Sequence, residues 1–324
     1  MALSTTTKVG LAFQSDYTTI PTSAVTSFPV DPPTFSLIYD VINDQTFRGD
    51  PVVDFDVYQG VKRVEASMDG PFYAEECGYF LKALMGSETF TASTTATTAS
   101  HVFTGAASPS ALAFYVEDDV NTGSSRLRYE SNLCSSFGLR WSASEGLLTY
   151  TSTWTGRNKS NYTTANPAYG TNLKPWLGWN ATSATLSGGS GAWGARLLDF
   201  ELTINRAPSL LYTMNNTQLA QRGDAGPIEM TGRFTIDHTA TSDLADYEAN
   251  STLNLAITLT RGATTTEESL KIDIPKMRVM DQPLEIQRGG VSLAVAMGFR
   301  GNGDSTIKSP VRFTLKNLRN SAYT

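Results

Sequence analysis

The stretch TFSLIYDVIN (34–43) alternates Phe35, Leu37, Tyr39 and Val41 against Ser36, Ile38, Asp40 and Ile42. LDFELTINR (198–206) repeats the device, with Leu198, Phe200, Leu202 and Ile204 against Asp199, Glu201, Thr203 and Asn205. Successive side chains on a strand point to opposite faces, so a period of two predicts half-solvated antiparallel strands. LNLAITLT (253–260), LKIDIPKMRV (270–279), VSLAVAMGF (291–299) and VRFTLKNL (311–318) read the same way. Pro275 has no amide to give to a ladder, which places the 270–279 run at a sheet edge or breaks it.

Helix signals are sparse. GPFYAEECGYFLKALMG (70–86) sets Tyr73, Cys77, Phe80, Leu81 and Leu84 on one stripe, with Pro71 suited to a first turn and Gly86 to a C-terminal cap. Glu75 and Glu76 fall near its positive dipole end. TSDLADYEAN (241–250), with Ser242 as N-cap, is a shorter candidate. Mostly strands with one or two short helices predicts a mainly β protein.

The same order of elements occurs twice. In the first half, strand 34–43 precedes Arg48-Gly49-Asp50, VKRVEASMD (61–69), the helix, LAFYVED (112–118), SRLRYESNLCSSFGLRWS (125–142) and LLTYTSTWTGR (147–157). In the second, strand 198–206 precedes Arg222-Gly223-Asp224, IEMTGRFTID (228–237), the short helix candidate, LNLAITLT, ESLKIDIPKMRV and VSLAVAMGFRG (291–301). Both series close on an aromatic, one residue and Gly: Trp154-Thr155-Gly156 and Phe299-Arg300-Gly301. A fixed series met twice predicts a duplicated supersecondary unit. The expected plan is an arm at 1–33, a first β unit at 34–160, a linker at 161–194 and a second β unit at 195–324. The linker is rich in Gly, Ser, Asn, Pro and Thr and reads as loop, with Trp176, Trp179 and Trp193 as points of packing.

Composition narrows function by exclusion. The 324 residues carry 25 basic and 31 acidic side chains, a net charge of -6, which argues against gripping nucleic acid or anionic membrane through a basic face. Two cysteines, Cys77 and Cys134, make no disulfide framework, and two histidines, His101 and His238, exclude a multi-histidine metal site. MALSTTTKVG lacks the regions of a signal peptide, and the longest uncharged stretch, Thr89–Val116, is too rich in Thr, Ser, Ala and Gly to span a bilayer. A soluble intracellular protein is expected.

No motif assembles into a catalytic set. The two Arg-Gly-Asp triplets read as solvated glycine turns, and the sequons at Asn158, Asn161, Asn180, Asn215 and Asn250 as by-products of Thr-rich composition. Glu75/Glu76 and Asp118/Asp119 are neighbours in sequence, unlike carboxylates that flank a bond across a cleft. SGGSG (187–191) is followed by no Lys-Ser/Thr and is no phosphate loop. Each histidine reads as structural or surface, and Cys77, on the apolar stripe, as an inert thiol. No catalytic residue, cofactor or metal is assigned.

KVGLAFQSDYTTIPTSAVTSFPV (8–30), GVKRVEASMDGPFYAEECGYFLKALMG (60–86) and ARLLDFELTINRAPSLL (195–211) resemble, in order, the N-terminal arm, the strand–turn–helix segment and a unit-opening strand of the tail tube (major tail) proteins of long-tailed, non-contractile bacteriophages. The resemblance implies tandem β-sandwich or barrel units, each with a short flanking helix. It also implies one sheet per unit joined to its neighbours in a lumen-lining barrel. Duplicated members close as homotrimeric pseudo-hexameric rings and single-unit members as hexamers; both remain open here. It implies a virion tail protein, assembled in the host cytoplasm, without catalysis. Its partners would be itself, the tape measure, the tail terminator and the distal tail protein. Double-stranded DNA would pass without specific binding, and no membrane is involved. The irregular stretches 44–60 and 212–227 become candidate ring-stacking loops through Arg48, Asp50, Arg222 and Asp224, with the arm and the tail 319–324 as further candidates for joining rings. Glu65, Asp69, Glu201 and Asp237 are the acidic residues that could face the lumen or the outside. The rival reading is a carbohydrate-binding or adhesive β-sandwich, with Tyr169, Trp176 and Trp179 stacking on sugars.

Overall fold

The computed structural model describes residues 7–21, 26–46, 49, 52–93, 97–118, 126–144, 146–163, 168–169, 174–187, 196–215, 217–238, 245, 247–262, 266–281, 284–285, 294–305 and 307–323. The first half comprises β1 (Lys8–Phe13), β2 (Thr26–Ser27), β3 (Thr34–Asp44), β4 (Asp56–Pro71), α1 (Cys77–Met85), β5 (Gly86–Thr91), β6 (Ala99–Gly105), β7 (Leu112–Glu117), β8 (Arg126–Ser142), β9 (Leu148–Gly156), β10 (Asn158–Tyr162) and β11 (Ala168–Tyr169). The second comprises β12 (Ala181–Ser187), β13 (Leu197–Asn205), β14 (Ser209–Leu211), β15 (Arg222–Asp224), β16 (Glu229–Asp237), β17 (Leu253–Arg261), β18 (Glu268–Asp281), β19 (Leu284–Glu285), β20 (Ala294–Gly301) and β21 (Arg312–Asn317). The chain is mainly β, with a large antiparallel sheet.

Eight strands form one antiparallel row. Its order is β3–β4–β9–β8 from the first half, then β13–β16–β20–β18 from the second. The join is β13 on β8, with Leu202 opposite Leu139 and Ile204 opposite Phe137. A second set of pairings repeats just as closely: β1–β7–β8–β10 in one half and β12–β17–β18–β21 in the other. The β5–β6 hairpin of the first half adds to β21 of the second, so the halves also trade strands.

β8 and β18 take part in both sets. In β8, Arg126–Asn132 pairs with β7 or β10 and Leu133–Ser142 with β9 and β13. The change falls at Ser131, whose φ is 58° and whose amide donates to Gln14 Oε1. In β18 it falls at Pro275, between Ile274, opposite Leu255 in β17, and Met277, opposite Gly301 in β20. The proline thus marks where the strand leaves one sheet for the other, a place that needs no ladder donor.

Alternation fixes the core. Val64, Ala66 and Met68 of β4, Tyr150 and Trp154 of β9, Phe200, Leu202 and Ile204 of β13, and Met297 and Phe299 of β20 are buried. Leu255, Ile257 and Leu259 of β17, Leu270 and Ile272 of β18 and Phe313 and Leu315 of β21 are buried too, in the same core cluster. Each large apolar side chain contributes roughly 1.5–3 kcal/mol by leaving water.

The helix is shorter than its sequence stripe. Pro71 ends β4 rather than opening α1, and Glu76 is the N-cap, without a side-chain capping bond. Gly86 caps the C-terminus at φ 92°, as its position predicts. Of the second helix candidate, residues 241–244 and 246 lie outside the described residues; Ala245, Tyr247 and Glu248 are helical. The connector is not all loop, because β12 lies within it and pairs with β17. The arm and the tail are also tied to their own chain: β1 runs along β7, and Tyr323 is fully buried.

Candidate assembly surfaces

The eight-strand row has one face in the core and one polar face. On β4 the buried residues 64, 66 and 68 leave Glu65, Ser67 and Asp69 exposed on the other side. On β13 and β16 the same parity puts Glu201 and Asp237 on that polar side, opposite in sense to Leu202 and Ile236. All four acidic candidates therefore share one face of one sheet. Thr149, Thr151, Thr153 and Thr155 of β9 alternate with the buried Leu148, Tyr150, Ser152 and Trp154 and so share it too. The bases there stand among acids: Arg63 pairs with Asp40 at 2.6 Å and Glu65 at 2.9 Å, and Glu201 lies opposite Arg233 and Arg140 in the strand register. Arg278 and Arg300, opposite each other near the β18 border, share the face as well, so hydroxyls and charges of both signs are intermixed on it.

The row has two open ends. Among the described residues, β3 pairs only with β4, and beyond Met277 β18 pairs only with β20. Backbone groups on such borders are templates for another strand.

The loops behave unequally. Arg48 and Asp50 lie outside the described residues. Arg222 and Asp224 sit in the β14–β15 ribbon, exposed and ion-paired with each other at 2.8 Å. The 212–227 segment is not a free loop. The Lys62 amide donates to Gln218 O at 3.1 Å, Arg157 Nε to Ala220 O at 2.8 Å and Tyr212 Oη to Lys62 O at 3.1 Å, which seats it across the first half. Arg206, only 2% exposed, fastens its root: Nη1 donates to Leu84 O at 2.7 Å, Nη2 to Ala106 O at 2.8 Å and Nε to Gly226 O at 3.1 Å. Among the described residues the β3–β4 hairpin has no such seat. Val41 and Ile42, neighbours pointing to opposite faces, are 65% and 56% exposed, and Val52, Val53, Val57 and Tyr58 are exposed as well.

The buried polar groups are structural in arrangement. His101 meets Glu88 Oε1 through Nδ1 at 2.8 Å and Arg319 O through Nε2 at 3.0 Å, so both ring nitrogens are engaged. Burial would raise the Glu88 carboxyl, but hydrogen bonds from His101 and Lys82 outweigh it and hold it below the ordinary value. The Tyr323 amide donates to the same carboxylate, and its hydroxyl donates to Glu75 O at 2.7 Å. Burial pushes the Cys77 and Cys134 thiols well up, away from reactivity. Among the described residues no His, Cys, Asp and Glu cluster is placed to hold a metal ion, and no helix is long and apolar enough to cross a membrane. Trp176 is fully buried beneath the Arg261 guanidinium at 5.0 Å, while Trp179 is 72% exposed; the sugar-stacking trio is therefore not a common platform.

Alternation made the polar face readable. The seat of 212–227 was not, since its backbone bonds to residues about 150 positions away leave no local pattern. The tail clamp shows only as a lone aromatic, Tyr323, near the end of a polar segment.

An antiparallel β protein with a hydroxyl-rich sheet face and, among the described residues, two unpaired sheet borders offers surfaces for association. The family model for phage tail tube proteins matches residues 4–314, nearly the whole chain, and the protein belongs to that family. It is a structural component of the virion tail, in a family whose members associate into a tube. No curated protein matches the sequence.

Proposed function

We propose that the chain closes into homotrimeric pseudo-hexameric rings that stack into a conduit for DNA, without catalysis and following assembly in the host cytoplasm. The carrying observation is the eight-strand row made of two equivalent quartets with an open border at each end. Three such rows joined end to end give about 24 strands; at ~4.8 Å spacing and ~40° tilt the backbone diameter is roughly 48 Å, enough for a duplex after side chains narrow it. A single-quartet chain would need six copies for the same circumference, and two quartets per chain favour the trimer over the hexamer.

The polar face, with Glu65, Asp69, Glu201 and Asp237, lines the lumen, because the opposite face is committed to the core. Three chains at -6 give -18 per ring, which repels phosphate and suits passage without specific binding. Arg222 and Asp224, exposed on their ribbon, contact the next ring, as do Arg48 and Asp50 of the first Arg-Gly-Asp triplet, which lie outside the described residues. Tape measure, terminator and distal tail proteins meet the tube at its ends and core. Electron microscopy with native mass spectrometry tests the reading: trimeric rings and hollow tubes are expected, and discrete monomers at high concentration would overturn it.

A further inference from the structure

We infer that the groove formed by Pro227–Glu229, Arg278–Met280 and Arg300–Gly303 seats the β3–β4 hairpin of a second copy, an inference that rests on the ring reading above. The groove has a volume of about 610 Å³. Strand pairing sets the correspondence between the halves. Gly156 opposes Val64, and Gly301 opposes Met230; Cys134 opposes Trp154, and Val279 opposes Phe299. Both pairs of strands carry the same register shift two residues on, at Ser136 and at Asp281. Counting outward, Lys62 corresponds to Ile228, Leu133 to Arg278 and Arg157 to Asn302.

In the first half those positions are covered. Gln218 takes the Lys62 amide, Ala220 takes Arg157 Nε, and Gly223 lies so close to Leu133 that a Cβ there would approach Leu133 Cδ1 to 2.8 Å. The covering segment leaves β13 and returns as β16. Its counterpart in the first half is the 45–55 connection of β3 and β4, at the far border of the row. Among the described residues of one chain that hairpin has no quartet beside it to lie on, and the β3–β4 ribbon from Val41 to Tyr58 carries six exposed apolar side chains there. At the other border the corresponding groove is open among the described residues, with Met280 61% exposed. An apolar hairpin and an open groove at opposite ends of one row match head to tail, so a closed ring covers every copy of both. The same correspondence fixes the joining register. Ser136 opposes Asn205 within the chain, so Asp281 opposes Ile38 of the next copy, and Glu285 opposes Thr34.

Two cysteine pairs, Ile38→Cys with Asp281→Cys and Thr34→Cys with Glu285→Cys, test the register with a short bismaleimide; the native thiols are buried. Either folded pair should give covalent trimers at least tenfold above its single-cysteine variants. Val53→Asp with Val57→Asp should raise the concentration needed for rings at least tenfold while leaving the melting temperature unchanged. Tubes formed without cross-links, or unaffected by the two aspartates, overturn the contact alone and leave the groove to another tail protein. A wild-type chain that forms no rings overturns the ring reading and this inference together.

Discussion

The ring of Tyr323 lies against Gly78 of α1, where an added Cβ would come within 2.0 Å of the tyrosine Cζ. The segment ending at Tyr323 thus presses into α1. Tyr323 donates to Glu75 O and receives a bond from Asn317 Nδ2, and Arg319 lies over both Tyr79 and Tyr323.

Gly78→Ala should therefore expel the tail. A loss of about 3 kcal/mol is expected, the scale of a buried aromatic displaced from a core. Chemical denaturation measures the loss, and faster proteolysis after Asn317 reports the freed tail; an unchanged midpoint would show that the tail contributes nothing to the subunit.

The Glu76 carboxyl is buried at the start of α1, with neither oxygen hydrogen-bonded among the described residues, and its pKa is raised to about 7, chiefly by desolvation. The folded state then binds more protons than the unfolded chain between roughly pH 4.5 and 7, so this group removes stability as pH rises through that window. Glu76→Gln should stabilise the protein by about 2–3 kcal/mol at pH 8 and by little at pH 4. Melting curves at both values decide it.

Glu88 has the opposite sign. Its folded pKa is lowered, so its contribution is present above the unfolded carboxylate value and fades as pH falls through the folded one. Glu88→Gln should flatten the acid side of the stability curve below about pH 5. Tail protection against carboxypeptidase, followed from pH 7 to 3, should weaken in the wild type and be low throughout in the variant.

Arg206 joins the C-terminal carbonyls of α1 to the second half. Arg206→Met keeps the stem and strands those carbonyls, and a loss of about 3 kcal/mol is expected. Urea titration reads the cost; hydrogen exchange should rise around Leu84, Met85 and Ala106 and around Gly226 together, since one guanidinium serves both.

Glu65→Lys, Asp69→Lys and Glu201→Lys, combined, turn the polar sheet face basic. Assembled variant particles should retain duplex DNA at about 50 mM salt and release it by about 300 mM, whereas the wild type retains none. Retention by the wild type would place a basic track where the strand parity puts threonines.

What the residues disclose alone follows from how local the signal is. Strand parity carries the core and the polar face from Thr34 to Asn317, and Pro275 marks a disturbed ladder, which the structure resolves as a change of partners within one continuous strand. The helix start is misread since Pro71 and Glu75 satisfy first-turn preferences, yet β4 continues through Pro71 by pairing with β9. β12 is invisible in a Gly- and Ser-rich connector because its partner, β17, lies about 70 residues later. The hairpin–groove match emerges only when two pairing patterns are laid beside each other, a relation between distant halves that no window of sequence contains.

β8 and β18 each begin in one layer and end in the other. Two threads sewn through lining and shell alike would bind a coat in the same manner. Shear of one layer across the other must bend a continuous strand, so a load applied to either surface is shared by both.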